Sequence, residues 1–214
     1  MEDRKIQSKK RYIWAFLIGT FVFVMVFGLT YAISYFEYQK VSQSGQELSY
    51  GIFKDKLDFS FFGKSICNSS SFQKISGDLR FQGTIIDDLE NKFGKTDKNV
   101  LFRKQFYSLV ELEHFEFVKQ VNKECNKKIQ TILFFYSNEK GDSSKSEDAG
   151  KLLDAVYSRN PEIMIYSFDI NLDDDLIREL KSKYNVSSAP IILVNEKTRF
   201  DGTQNIDRIE QYLK

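Results

Sequence analysis

The sequence is poor in the residues on which most site chemistry depends. Its 214 residues include one histidine, two cysteines, two prolines and one tryptophan. A four-ligand zinc site cannot be assembled from His114, Cys67 and Cys125 alone, so no metal site is expected, and His114 reads as an ordinary side chain on a helix. No G-x-x-x-x-G-K-[ST] loop and no G-x-G-x-x-G fingerprint is present, which removes the phosphate-loop and dinucleotide classes. No cofactor is expected. Thirty-one basic side chains nearly cancel thirty acidic ones, so no bulk field favours nucleic acid. Asp169, Asp173, Asp174 and Asp175 lack the EF-hand spacing for calcium and read as a solvated helix start.

What the chain does have begins at its N-terminal end. Residues 12–36, YIWAFLIGTFVFVMVFGLTYAISYF, carry no charge. As a helix this run spans roughly 37 Å against about 30 Å of hydrocarbon, which predicts a membrane-spanning helix in contact with lipid. A cleaved signal peptide is the rival reading, but its apolar core is shorter and ends at a small-x-small site. Arg4, Lys5, Lys9, Lys10 and Arg11 precede the span, whereas residues 37–53 hold only Lys40 against Glu37 and Glu47. The positive-inside bias therefore places residues 1–11 in the cytoplasm and the rest of the chain beyond the membrane. With 42% hydrophobic and 15% aromatic residues, that remainder is rich enough to pack a core.

Residues 37–66 read as a linker, polar at first and then of irregular alternation, a strand or a segment packed beneath the next element. From 67 to 127 the period turns helical. Phe72, Ile75, Leu79, Ile86, Leu89 and Phe93 fit one buried face behind serines that supply an N-cap, and Phe102, Phe106, Leu109, Val110, Phe117 and Val121 fit a second. The break GKTDKN joins them into an antiparallel helical hairpin. Cys67 and Cys125 then fall at the adjacent ends of the two helices. A structural disulfide closing their loop, a labile redox pair and two unpaired thiols are the three readings open at this point. Two N-x-[ST] patterns, at Asn68 and Asn185, suit the outer side.

Residues 130–214 change period again. TILFFYS is a buried strand, SEDAGKLLDAVYSRN a helix and IMIYSFDI a second strand. DDDLIRELKSKYNV follows as a helix, then IILVNE, KTRFDG and a final helix over NIDRIEQYLK. The order β-α-β-α-β-β-α predicts an α/β domain with its first two strands parallel and its last two antiparallel.

This order resembles the thioredoxin fold. The resemblance is carried by FFYS before the loop, by YSFDI, by KYNVSSAPIILV with Ala189-Pro190 at the family's cis-proline position, and by RFDG before the last helix. It covers the last 85 residues, and the layout behind the anchor is similar to that of membrane-anchored thioredoxin-like proteins. The family implies a Cys-x-x-Cys motif where the first helix begins, at a thiol activated by the helix dipole. Here Ser143 and Ser146 take the two cysteine positions, with Ser144 and Lys145 between them. Serine forms no disulfide, and no base accompanies these serines to make a nucleophile, so they read as helix caps. The resemblance thus implies a domain that has lost the usual thiols and retains a peptide groove beside Pro190, a binding, chaperone or assembly module for an extracytoplasmic protein. The alternative is a thiol-disulfide oxidoreductase that uses Cys67 and Cys125, or a Cys-to-Ser variant of an active enzyme.

Overall fold

The computed structural model describes residues 2–62, 67 and 71–213. The chain divides into two compact units, Met1–Gln46 and Glu47–Lys214. In the first, helix α1 (Glu2–Phe62) includes a stretch, Lys9–Phe36, with mean hydropathy 2.3 and none of it buried. Its aromatic and aliphatic side chains point outward all round the axis, from Trp14 and Phe16 to Tyr35 and Phe36. A helix apolar on every side suits lipid rather than one protein face. This stretch is long and apolar enough to cross a membrane.

The expected linker is helical as far as Phe62. The stretch contains no proline, and Gly45 and Gly51 do not interrupt the run. In the second unit this helix supplies Ile52 to the core, and Gly51 comes close enough to α2 that a Cβ there would lie 3.9 Å from Ile75.

Helices α2 (Ser71–Phe93) and α3 (Lys98–Cys125) form the hairpin. Gly94 turns the chain with a φ of +95°, where a Cβ is strained, and Asp97 caps α3 by accepting from the backbone N–H groups of Asn99 and Val100. Tight helix contact is made at Gly83, where an added Cβ would meet the Tyr107 hydroxyl at 3.0 Å. The serine cap expected before α2 and the Asn68 pattern fall outside the described residues, apart from Ser71 itself. Ile75, Leu79 and Ile86 are buried as the period requires, but Phe93 is not.

The stripe expected on α3 holds in part. Val110, Phe117 and Val121 are buried as the period requires, but Phe102, Phe106 and Leu109 are exposed, and Val100, Lys104, Ser108, Glu111, His114, Phe115 and Val118 also face inward. The buried stripe includes polar residues in the first half of the helix, where a search for apolar periodicity follows the wrong side.

Strands β1 (Thr131–Tyr136), β2 (Met164–Asp169), β3 (Ile191–Val194) and β4 (Thr198–Asp201) make one sheet in the order β2-β1-β3-β4. β1 and β2 are parallel, with Phe135 beside Phe168; β3 is antiparallel to both β1 and β4. Helix α4 (Ser143–Arg159) links β1 to β2, α5 (Asp175–Lys183) links β2 to β3, and α6 (Ile206–Glu210) follows β4. The β3–β4 turn has Asn195 and Glu196 both in the left-handed region, the backbone of a tight hairpin.

Alternation along the strands sends side chains to two cores. Leu133, Phe135, Tyr166, Phe168, Ile191 and Leu193 pack with α2, α3, α5 and Ile52. On the other face Ile132, Phe134, Ile192 and Val194 pack with α4 and α6. The hairpin is therefore a layer of the domain, with α3 packed on one sheet face beside α5.

Candidate functional site

The strand register decides which loops meet. Phe135 lies opposite Ile191 and beside Phe168, and Ile191 opposite Asp201. The loop after β1, the loop after β2, the loop before β3 and the loop after β4 therefore gather at one end of the sheet. Pro190 precedes Ile191 there through a cis Ala189–Pro190 bond, and its carbonyl accepts from Gly202 N at 2.9 Å. Ala189 and Pro190 are buried, whereas Ser187 and Ser188 are exposed. Asn185, of the second N-x-[ST] pattern, is exposed in the left-handed conformation.

The serines at the start of α4 do not cap it. Asp142 holds the N-cap position without a side-chain hydrogen bond, and Ser143 is already the first helical residue. Ser146 is buried, and its Oγ accepts from Ser137 N at 3.0 Å, tying the end of β1 to the first turn of α4. The chain leaves β1 so sharply that the Ser137 amide has no strand partner, and the Ser146 hydroxyl satisfies it. Ser144 and Lys145 are exposed.

The same end contains a buried charge cluster that sequence reasoning missed. Lys104, 2% exposed, donates from Nζ to Glu90 Oε1 at 2.7 Å and makes a second ion pair with Asp169. Asn138 Nδ2 donates to both carboxylates at 3.1 Å, and the Lys104 ammonium sits 5.1 Å above the Tyr136 ring. Asp169 is thus buried at the end of β2 and not part of the solvated helix start expected for it; the one signal available was its place at the end of a mostly apolar strand, where a buried carboxylate requires a partner. Nothing local in the sequence identifies that partner as a lysine 65 residues earlier. Of the other acidic residues, Asp174 caps α5 by accepting from Leu176 N, and Asp173 and Asp175 pair with Arg178. Among the described residues no group of three His, Cys, Asp or Glu side chains is placed to hold a metal.

A cleft of about 620 Å³ lies between α2 and α4, with the edge of β2 at its floor. Arg80 and Asp154 bridge it at 2.9 Å, and the Arg80 guanidinium lies 4.0 Å over the Tyr157 ring. Glu111, fully buried, reaches it from α3; its Oε1 accepts from Ser167 N at 2.8 Å. Burial holds the Glu111 carboxyl well above the usual carboxylate range, opposed by its hydrogen bonds with Ser167 and Tyr107. Asp87, at the cleft wall, is also raised, first by burial and then by the charges of Glu90 and Asp154. His114, one turn beyond Glu111, hydrogen-bonds Tyr166 through Nδ1 at 2.9 Å, and burial lowers its pKa to about 4.

Cys67 and Cys125 are joined as a disulfide, with their Cα atoms 5.5 Å apart and packed beside Phe117, Val121 and Ile129. Cys125 precedes the start of β1, so the bond lies at the sheet end opposite Pro190. Six strand residues, on the order of 20 Å, separate the two ends.

No family profile matches the chain, and no curated protein matches it. Among solved structures it is similar to thioredoxin O2 from Arabidopsis thaliana in the oxidised state, at 17% identity over 45% of this chain and 83% of that one, with a TM-score of 0.35. The thioredoxin of Fasciola hepatica gives 18% identity over 46% and 92%, with a TM-score of 0.35. The J-Trx1 fragment of ERdj5 gives 14% over 79% and 89%, with a TM-score of 0.31. The strand order, the mixed register and the cis proline before β3 are the features that assign the fold. This chain carries a thioredoxin-like α/β fold, preceded by a helical hairpin and an N-terminal apolar helix.

Proposed function

We propose that this protein is a single-pass membrane protein that displays a thioredoxin-like domain on the outer side of the membrane, where the domain binds protein without thiol chemistry. The apolar Lys9–Phe36 stretch provides the anchor, in contact with lipid. The basic residues before it favour a cytoplasmic N-terminus, and a disulfide suits the oxidising outer side. The observation that carries the reading is the separation of the cysteines from the loop end. Both sulfurs are engaged at the opposite pole, and Ser146 is committed to the fold through Ser137. What remains around Pro190 is a surface of small polar side chains, Ser187, Ser188 and Thr203, beside the buried Ala189 and Pro190, suited to holding a segment of another protein. The same separation weighs against an oxidoreductase that substitutes Cys67 and Cys125 for the missing pair.

A photo-crosslinking amino acid placed at Ser188 or Thr203 in the intact membrane protein tests this. Both positions are expected to capture a protein partner, and a probe at Asn126, at the disulfide pole, is not. Equal capture at all three positions, or none at Ser188 and Thr203, refutes the assignment.

A further inference from the structure

The free edge of β2 faces the cleft. Met164 N donates to Gln130 O and Ile170 N to Tyr136 O, both at 2.9 Å, which fixes the phase of the strand. Backbone groups alternate sides along a strand, so Met164, Tyr166 and Phe168 turn theirs toward β1 while Ile165 and Ser167 turn theirs outward. The Ser167 N–H meets Glu111 Oε1 at 2.8 Å, a carboxyl oxygen in the position that a neighbouring strand's carbonyl would take. Among the described residues nothing pairs with the Ile165 N–H, the Ile165 carbonyl or the Ser167 carbonyl. Ile165 and Ser167 are half-buried, within reach from the cleft.

The space matches a strand. At a rise of about 3.3 Å, a strand separation of about 4.8 Å and a sheet thickness of about 10 Å, one residue occupies roughly 160 Å³. A cleft of 620 Å³ then admits about four residues. Its walls differ in chemistry. On the α4 side stand Leu153, Tyr157 and Phe134 together with the charged Glu147, Lys151 and Asp154; on the other stand Asp87, Glu90, Tyr107 and Glu111. Lys104 is engaged by Glu90 and Asp169, Arg80 by Asp154 and Lys95 by Glu147, whereas Asp87 on the α2 side and Lys151 on the α4 side have no ion pair among the described residues. Burial first, and then the nearby Glu90 and Asp154 carboxylates, raise the Asp87 pKa, so an added cation would offset both.

We propose that this cleft accepts an extended segment of a partner protein, paired through its backbone to the outer edge of β2, with a lysine or arginine turned toward Asp87 and an apolar side chain toward α4. The cleft reaches the loop end at Asn138, Ser143 and Ser146, but none of residues 187–191 lines it, and the proposal stands whether or not the Pro190 segment binds protein. Strand addition to an exposed edge provides affinity through main-chain bonds and selectivity through alternate side chains.

The test uses the full chain in detergent micelles and a fluorescent decapeptide of alternating valine and lysine. Two further peptides carry N-methyl groups on every valine amide or on every lysine amide. Residues with amides on one edge alternate, so only one methylated peptide loses the pairing edge. One is expected to bind at least tenfold more weakly than the parent and the other within about threefold. The Asp87→Asn variant is expected to weaken the parent peptide about fivefold. Amide hydrogen exchange is expected to slow at Ile165 when the parent peptide is bound. Absence of binding, loss in both methylated peptides or in neither, an unchanged Asp87→Asn affinity, or slowed exchange confined to residues 187–191 each overturns the proposal. The last of these would assign the peptide to the Pro190 end instead.

Discussion

Replacing Lys104 with methionine removes one charge and leaves the others in place. Methionine keeps most of the side-chain volume, so the cavity term is small. What changes is electrostatic: Glu90, 7% exposed, and Asp169, 3% exposed, lose the ammonium that compensates both. Breaking a buried ion pair from one side costs about 3 to 5 kcal/mol, because the remaining charge stays desolvated. Asn138 still donates to both carboxylates and keeps the loss within that range. For a folded unit of this size each kcal/mol is worth about 2 to 4 °C, so the melting temperature should fall by roughly 6 to 20 °C. Near-ultraviolet circular dichroism of the full chain in detergent follows the buried tyrosines and reports this directly. Adding Glu90→Gln and Asp169→Asn to the Lys104→Met background removes the stranded charges and should return stability to within about 1 kcal/mol of the parent. A single-variant loss below about 1 kcal/mol, or a triple variant no better than the single, refutes the account of the cluster as a compensated buried charge.

Glu111 and His114 titrate in opposite senses. The Glu111 pKa is higher in the folded state than the roughly 4.3 of an unfolded chain, so the native state binds the extra proton and stability falls as pH rises above that value, by at most about 1.4 kcal/mol per pH unit. Glu111→Gln should remove that slope while keeping the acceptor for Ser167, and an unchanged slope in pH-dependent urea unfolding counts against it. His114 has its folded pKa at about 4 against about 6.5 unfolded, so its contribution rises with pH across that window by about 3 kcal/mol. Acid destabilisation should therefore shrink in His114→Gln over the same window, and a parallel displacement of the whole pH curve would contradict it. Ser146→Ala should cost about 1 to 3 kcal/mol by stranding the Ser137 amide, and Ser143→Ala close to nothing; chemical denaturation giving equal effects would assign both serines a capping role. Replacing Cys67 and Cys125 together with serine opens a loop of 58 residues and should cost about 4 kcal/mol in the chain-entropy model. Crosslinking at Ser188 should survive that change under conditions where the fold persists; its selective loss would link the disulfide to binding.

Several elements were legible because their cause is local. The uncharged run of residues 12–36 exceeds what one protein face can bury, the hairpin break at GKTDKN supplies a positive-φ glycine and an aspartate cap, and the strands of the sheet are short apolar runs between turn residues. The cis proline before β3 fits a pattern of residues adjacent in sequence. The roles of Ser143 and Ser146 were not legible. A serine at a helix start has the same sequence signature whether it caps the helix or reaches back to a strand, and only the position of Ser137 separates the two.

The sequence by itself determined the N-terminal apolar helix, the helical hairpin, the β-α-β-α-β-β-α order and the absence of a dithiol at the start of α4, since each depends on composition and period along the chain. Only the tertiary structure decided which face of α3 is buried, that Lys104, Glu90, Asn138 and Asp169 form one cluster, that the disulfide and Pro190 lie at opposite ends of the sheet, and that the β2 edge opens into a cleft. These depend on residues far apart in the chain, and their polar pairing becomes favourable only where folding excludes water.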